Sequence, residues 1–173
     1  MHRRAIALVA LTGTLFVGCS SGSAGPFFVR LSGRMPTVSG TTLGGGSFGP
    51  GEYTGKVVVV NFWNYDCPPC RQEQLVLQRD WTALRSKGVS FVGIMFVGGI
   101  PPWPDDHSAA RAYLRSVGVT YPAIVDEGSS ISTAFDIPGI PTTVIADRYG
   151  QLRFRILGQV RPGQIEQLVA GLA

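Results

Sequence analysis

The sequence predicts an α/β fold in which a central mixed sheet is flanked by helices and preceded by an extra N-terminal β-hairpin. Short apolar runs rich in β-branched residues alternate with segments of helical periodicity, and this alternation is typical of a mainly parallel sheet. The last two predicted strands are joined by a short turn, which adds an antiparallel edge. With 173 residues, of which 45% are hydrophobic and 15% charged, the chain can form one globular domain with a substantial core.

The first eighteen residues have the pattern of a targeting segment. Two arginines precede an apolar stretch, Ala5 to Val17, which is shorter than the roughly 20 apolar residues needed to span a bilayer. The stretch leads into Cys19 and several small polar residues, and this pattern resembles a bacterial lipoprotein signal. We therefore predict a signal peptide over residues 1–18, lipidation of Cys19, and a membrane-anchored protein on the extracytoplasmic face. An ordinary secretory signal cleaved near Ala24 is the alternative, and it predicts the same side of the membrane.

The domain is expected to follow a flexible tether. Residues 19–33 form the predicted tether because small polar residues begin it, and residues 34–173 form the predicted domain. Between positions 34 and 52, short β-type pieces are separated by a run of three glycines and by a Pro50-Gly51 turn, which together predict the hairpin.

Strands and helices alternate through the rest of the chain. The predicted strands cover residues 57–63, 89–97, 121–125, 144–147 and 152–157. The predicted helices begin after the cysteine pair, after Asp106, at Ser130 and at Pro162. The first of these helices places Leu77, Trp81 and Leu84 on one face.

Two cysteines lie between the first central strand and the first long helix. Cys67 and Cys70, separated by two prolines, could form a redox couple, half of a zinc site or a structural disulfide. Zinc requires further ligands, and the two histidines, His2 and His107, do not supply a second pair, so we predict no metal. A structural disulfide closing so small a loop would constrain the unfolded chain little, which favours the redox couple.

The position of the pair indicates a role for each thiol. Cys67 is expected at the helix N-cap, where free amides and the helix dipole lower the pKa of its thiol below about 8.5. We predict that Cys67 is exposed and attacks the partner, and that Cys70, in the first turn, resolves the mixed disulfide. Pro68 and Pro69 have no N–H to offer the thiolate, which predicts a moderate lowering of this pKa.

Composition argues against a nucleic-acid partner. The formal net charge is +4, but the basic residues form no patch interleaved with aromatic residues.

The order of these motifs resembles the thioredoxin fold. The segments NFW, CPPCRQE and PGIPTT, together with the lipoprotein signal, are similar to those of the TlpA/ResA-like family of membrane-tethered thiol–disulfide oxidoreductases, which includes DsbE-like proteins. The resemblance covers residues 34–173. It implies an enzyme with no cofactor besides its redox-active disulfide, acting on thiols or disulfides of exported proteins such as apocytochrome c and served by a membrane redox partner. Reduction in cytochrome c maturation and oxidation or isomerisation in oxidative folding both remain open.

The same resemblance implies roles for three residues outside the pair. Glu73, at the CxxCxxE spacing, would handle the proton of the thiols, although a solvated glutamate in the first helical turn is the alternative. Asn61 occupies the position at which thioredoxins place a buried aspartate. Pro141 resembles the family's cis-proline beside the disulfide, where a residue without an N–H leaves the backbone free to pair with an extended substrate.

Further substrate contacts are expected around these motifs. The predicted groove residues are Trp63, Asp66, Pro68, Pro69, Ile140 and Thr142. Asp66 departs from the family pattern, which commonly has a tryptophan or another bulky residue there. Its carboxylate would oppose thiolate formation at Cys67.

Two other classes of function fit the motifs of this sequence less well. A Sco-like copper chaperone typically has CxxxC and a distal histidine ligand, whereas this chain has CxxC and no well-placed histidine. A thiol peroxidase usually carries its reactive cysteine in a threonine-containing loop motif that this sequence lacks.

Overall fold

The computed structural model describes residues 27–98 and 102–172, so the predicted signal peptide, Cys19 and most of the predicted tether lie outside the described residues. The described chain forms an α/β domain, which confirms the predicted fold class. Its strands are β1 (Phe28–Arg30), β2 (Gly40–Thr41), β3 (Ser47–Phe48), β4 (Val57–Trp63), β5 (Val89–Met95), β6 (Ala123–Val125), β7 (Thr142–Ala146) and β8 (Leu152–Leu157). Its α-helices are α1 (Pro50–Tyr53), α2 (Pro68–Leu84), α3 (His107–Ser116), α4 (Ser130–Ala134) and α5 (Gln164–Val169).

The strands form one large sheet and one small one. The large sheet has the order β1-β8-β7-β4-β5-β6, while β2 and β3 form the predicted N-terminal hairpin. Strands β4, β5 and β6 are parallel, and β7, β8 and β1 are each antiparallel to a neighbour. The carboxyl ends of β4, β5 and β6 therefore lie at one edge of the sheet. The start of β7 lies there too, since Thr142 pairs with Phe62; this edge is called the upper edge.

Strand β4 is covered on both faces, as its continuous apolar run predicts. Val57 and Val59 belong to the core cluster that α2 and α5 cover, whereas Val58 and Val60 belong to the cluster on the opposite face. Because side chains alternate along a strand, Asn61 projects on the same face as Val57 and Val59. This alternation directs Asn61 toward α2.

The large sheet begins earlier in the chain than predicted. Strand β1 lies inside the segment expected to be a tether, residues 19–33, and Phe28 pairs with Ile156 of β8. The ring of Phe28 meets that of Phe154 edge-on, with centroids 5.4 Å apart. The predicted tether is therefore wrong at its carboxyl end. The reason is that its small polar composition stops before the apolar pair Phe27 and Phe28, whose pairing strand lies far away in sequence.

A short helix replaces one predicted turn. Pro50 begins α1, where its fixed φ suits the first helical position, and the Glu52 carboxylate accepts a hydrogen bond from the Gly49 N–H at 2.9 Å. Tyr53 is buried, and its hydroxyl accepts a hydrogen bond from the Val38 N–H at 3.2 Å. The segment before β4 is thereby fixed onto the sheet.

Within the described ranges, none of the helices combines the length and the apolar character required to cross a bilayer.

Candidate active site

The two cysteines follow β4 at the upper edge and are joined by a disulfide. Cys67 is the N-cap residue of α2 and Cys70 lies in its first turn, as predicted. The Cys67 sulfur accepts a hydrogen bond from the Cys70 N–H at 3.3 Å. Pro68 and Pro69 fill the first two helical positions and offer no N–H. In the reduced protein, a helix N-terminus with one such donor favours the thiolate form of Cys67.

A buried asparagine shapes the turn that leads to Cys67. The Asn64 side-chain oxygen accepts a hydrogen bond from the Asp66 N–H at 2.9 Å, and the Asn64 carbonyl accepts one from the Cys67 N–H at 3.2 Å. Its amide group donates to the carbonyls of Phe96 and Pro104 at 2.9 and 3.0 Å. Asn64 is not among the predicted site residues, although an asparagine two residues before an aspartate between strand and helix is a typical side-chain turn signal.

The disulfide is buried. Cys67 is 1% exposed and Cys70 0% exposed, so the prediction that Cys67 is open to a partner is wrong for the disulfide form. Both cysteines pack in an apolar cluster with Leu43 and Met95, against which the half-buried Tyr65 also packs. The contacts with Leu43 and Met95 were not readable from the sequence, because both residues lie far from the cysteines along the chain. Little of the Cys67 surface is therefore open to a partner thiolate in the disulfide form.

Glu73 is fully buried in α2, about one turn after Cys70. One carboxylate oxygen accepts a hydrogen bond from the Asn61 amide at 2.8 Å, and the other accepts one from the Val160 N–H at 2.7 Å. Burial raises the pKa of Glu73 to about 7, although both hydrogen bonds act to lower it. The alternative of a solvated glutamate is therefore wrong. A carboxyl group with a pKa near 7, about one helical turn from Cys70, is suited to exchange a proton with that thiol.

Asn61 links Glu73 to the neighbouring strand. Its amide group also donates to the Thr143 hydroxyl at 3.0 Å. Asn61 carries no ionisable group. The buried carboxylate next to it is that of Glu73, which lies on α2 and not on β4. Asn61, at the position of the thioredoxin aspartate, thus helps to hold the carboxylate of Glu73.

A second buried polar pair lies next along α2. The Tyr121 hydroxyl donates a hydrogen bond to the side-chain oxygen of Gln74, and both residues are buried. Burial, followed by the negative charge of Glu73, raises the pKa of Tyr121 well above its usual value. Tyr121 therefore stays protonated and fixes the orientation of Gln74. Neither residue was predicted, because no local pattern marks a glutamine that meets a tyrosine from a distant segment of the chain.

Strand β7 begins next to the cysteines at a cis-proline. The peptide bond between Ile140 and Pro141 is cis, in agreement with the family resemblance. Ile140 packs against the apolar cluster that contains both cysteines. The Pro141 carbonyl accepts a hydrogen bond from the Gly158 N–H at 3.0 Å, and Pro141 itself has no N–H to donate. The start of β7 and the disulfide therefore share the upper edge.

Two of the predicted groove residues are core residues. Trp63 is 0% exposed, its ring centroid lies 6.2 Å from that of Tyr113, and a Cβ on Gly93 would approach its indole nitrogen to 2.8 Å. Thr142 is 1% exposed, and its hydroxyl donates to the Gly139 carbonyl at 2.7 Å. The prediction that these side chains contact substrate is therefore wrong for this form of the protein.

The other predicted groove residues lie at the surface or close to it. Asp66, Pro68 and Pro69 are exposed around the disulfide, and Ile140 is half-buried. They border the place where a partner would approach Cys67, and their contact with substrate stays a prediction.

In the two described ranges, no cluster of three or more His, Cys, Asp or Glu side chains is arranged to hold a metal ion. The His107 ring nitrogen lies 2.8 Å from the Asp105 carboxylate.

A mixed sheet with a CxxC disulfide at a helix N-terminus and a cis-proline beside it defines a thiol–disulfide oxidoreductase of the thioredoxin-like fold. Residues 31–172 match the family model described as Redoxin. The chain belongs to the Redoxin family, and within it to the TlpA/ResA/DsbE-like thioredoxin-fold proteins.

Similarity to individual proteins is consistent with this assignment. The thiol-disulfide oxidoreductase ResA of Geobacillus kaustophilus is 26% identical over 139 residues, which cover 80% of this chain and 76% of the relative. The thiol:disulfide interchange protein HelX of Rhodobacter capsulatus is 30% identical over 124 residues, which cover 69% of this chain and 64% of HelX. Among solved structures, a thiol:disulfide interchange protein from Chlorobium tepidum has a TM-score of 0.72 and 27% identity, and the match covers 82% of this chain and 97% of that one.

Proposed function

We propose that this enzyme is a lipid-anchored, extracytoplasmic reductase of disulfides in exported proteins, with apocytochrome c as one substrate. The lipid is attached at Cys19, and a dithiol partner in the membrane restores the reduced enzyme. The observation that carries the redox role is the disulfide between Cys67 and Cys70 at the start of α2, with the buried carboxyl group of Glu73 one turn further on. The relatives named as disulfide oxidoreductases and interchange proteins support the same chemistry.

The reaction proceeds by two thiol–disulfide exchanges. The Cys67 thiolate attacks one sulfur of the substrate disulfide, which breaks that bond, forms a mixed disulfide and releases one substrate thiolate. Cys70 then loses its proton to Glu73 and attacks the Cys67 sulfur, which forms the enzyme disulfide and releases the second substrate thiolate. Substrate gains two electrons and the enzyme loses two. Reduction by the membrane dithiol runs the same steps in reverse.

The direction of electron flow is proposed from the surroundings of the Cys67 sulfur. That sulfur accepts one hydrogen bond, from the Cys70 N–H, and the two prolines between the cysteines supply none. Weak stabilisation of the thiolate lowers the reduction potential of the pair, because a strongly stabilised reduced form is what makes a dithiol protein an oxidant.

Pro141 has no N–H, so the neighbouring backbone at the start of β7 would be free to pair with an extended substrate.

The reduction potential of the Cys67–Cys70 pair tests the proposed direction. Equilibration with glutathione or dithiothreitol buffers, followed by alkylation of free thiols, measures it directly. We expect a value near that of thioredoxin, about −270 mV. A value near about −120 mV, as in the oxidant DsbA, would support the oxidase alternative instead.

A further inference from the structure

The N-terminal segment enters the domain at the upper edge of the sheet, where the disulfide also lies. Strand β1 pairs antiparallel with β8, so that Phe28 lies opposite Ile156. Ile156 in turn lies opposite Thr143, and Thr143 lies opposite Asn61. These four residues form one row across the sheet. Because neighbouring strands are about 4.8 Å apart, Phe28 is only about 14 Å from Asn61, the residue whose amide holds Glu73.

The direction of β1 places the preceding chain at the upper edge. Arg30 lies opposite Phe154, further from the upper edge than Phe28 opposite Ile156. The chain therefore runs away from the upper edge as it passes from Phe28 to Arg30. Phe27, the first described residue, lies one step closer to that edge than Phe28.

The length of the connecting chain limits how far this point can be from an anchored Cys19. Phe27 follows Cys19 by eight residues, and an extended chain advances at most about 3.6 Å per residue, so the separation is at most about 29 Å. The opposite end of the sheet lies farther from Cys19 along this path, because it is separated from Phe27 by the length of the strands. Strand β8 alone carries the chain about 17 Å from Leu157 back to Leu152, next to the exposed Tyr149 turn.

We infer that the lipid on Cys19 holds the upper edge of the sheet, with the disulfide, toward the bilayer and the Tyr149 turn away from it. The partner that reduces the enzyme then presents its dithiol at the membrane surface. Phe27 is 64% exposed at this point, and exposed Phe side chains are among those that bury at the boundary between lipid headgroups and acyl chains. This inference rests on the anchor of the proposed function, and it adds the orientation of the active site.

Paramagnetic relaxation in nanodiscs tests the orientation. The full-length precursor is produced in a bacterial host, and the processed protein is extracted from the membrane and placed in nanodiscs with nitroxide-labelled lipid. We expect several-fold stronger relaxation of the Leu157 and Gly158 amides, at the upper edge, than of the Val57 and Gly150 amides. Equal relaxation at both ends, or the reverse gradient, would overturn the inference.

A lengthened tether is the matched control. Twenty Gly and Ser residues inserted between Ser23 and Ala24 raise the maximum separation of Cys19 and Phe27 to about 100 Å. We expect the gradient to weaken strongly in this variant, and an unchanged gradient would show that the tether does not set the orientation.

Two readouts on the same samples separate this inference from the redox function. Intact mass reports whether Cys19 carries lipid, and a mass without lipid overturns the inference. Reduction of insulin disulfides in solution measures the redox function, which does not depend on orientation.

Discussion

Glu73 is fully buried, and its carboxylate accepts two hydrogen bonds. Its pKa therefore depends on the balance between burial and these two bonds. Asn61 and the Val160 N–H occupy one oxygen each. Burial opposes the charged form more strongly than the two donors favour it, which is why the pKa rises to about 7. The group can then be neutral or charged at physiological pH, as proton exchange with Cys70 requires.

Glu73→Gln should slow the release of substrate by Cys70 about 100-fold at pH 8, because it removes the proton acceptor. In the native enzyme this rate should rise as pH increases through about 7, where Glu73 loses its proton. The variant should lack that rise. Rapid-quench alkylation of the mixed disulfide between pH 5 and 9 measures the step.

The exposed residue Glu127 provides the matched control for this substitution. Glu127→Gln should leave the pH profile unchanged. If Glu73→Gln also kept the native rise near pH 7, another group would be responsible for it. Glu73→Gln should also destabilise the fold by about 1 to 3 kcal/mol, since an amide cannot accept hydrogen bonds from both donors.

Among the residues of the site, those with a recognisable local spacing could be predicted from the sequence. Cys67, Cys70 and Glu73 were predictable because they belong to one strand–helix junction. The turn at Asn64 has a local signal, but its hydrogen bonds to Phe96 and Pro104 could not be predicted. The pairing of Gln74 with Tyr121 could not be predicted either, because these partners lie in distant parts of the chain. The burial of Cys67 was mispredicted for the same reason.

At the scale of elements, α2 and α5 meet through a pair of acidic side chains. Asp80 of α2 and Glu166 of α5 lie close enough together that one proton shared between their carboxylates would join them by a hydrogen bond. One buried oxygen of each side chain accepts no hydrogen bond within the described chain. Burial, then the hydrogen bond and the charge of Glu166, raises the pKa of Asp80 to about 7.

Because of this pair, we expect the free energy of unfolding to depend on pH. The folded protein binds the Asp80 proton up to about pH 7, whereas the unfolded chain releases it near its ordinary value of 3.8. The stabilisation is therefore complete below about pH 4 and is lost as pH rises through about 7. Asp80→Asn, whose amide can donate to Glu166 at any pH, should stabilise the protein at pH 8 by about 1 to 3 kcal/mol and have little effect at pH 5.

Urea denaturation of the oxidised protein at the two pH values measures this difference. Asp136→Asn, at an exposed position, is the control and should show no such dependence on pH. A loss of stability in Asp80→Asn that is equal at pH 5 and pH 8 would exclude the shared proton.

Long elements were predictable, and short ones were not. Strand β4 and helix α2 follow from a continuous apolar run and from helical periodicity. Strand β1 has three residues, and its place depends on pairing with β8 at the other end of the chain. Helix α1 has four residues, and its Pro-Gly start is equally typical of a turn.

At the scale of the whole molecule, the order of motifs identified the fold, while the membrane anchor stays a proposal carried by the sequence around Cys19. Cys19→Ala should release the processed protein into the soluble extracytoplasmic fraction, because a lipid chain is its proposed attachment. Cys67→Ser also removes one cysteine and serves as the control; it should stay in the membrane fraction. Complete retention of Cys19→Ala in the membrane would exclude the lipid anchor.

The trapping of mixed disulfides tests the central claim most directly. In a Cys19→Ala background only Cys67 and Cys70 remain, since the chain has three cysteines. Reduced Cys70→Ser, mixed with insulin, should accumulate a covalent complex through Cys67, identified by peptide mass spectrometry, whereas Cys67→Ser should form none and should lose insulin reduction. Native turnover by Cys67→Ser, or a complex through Cys70 as the attacking residue, would contradict the assignment of Cys67 as the nucleophile.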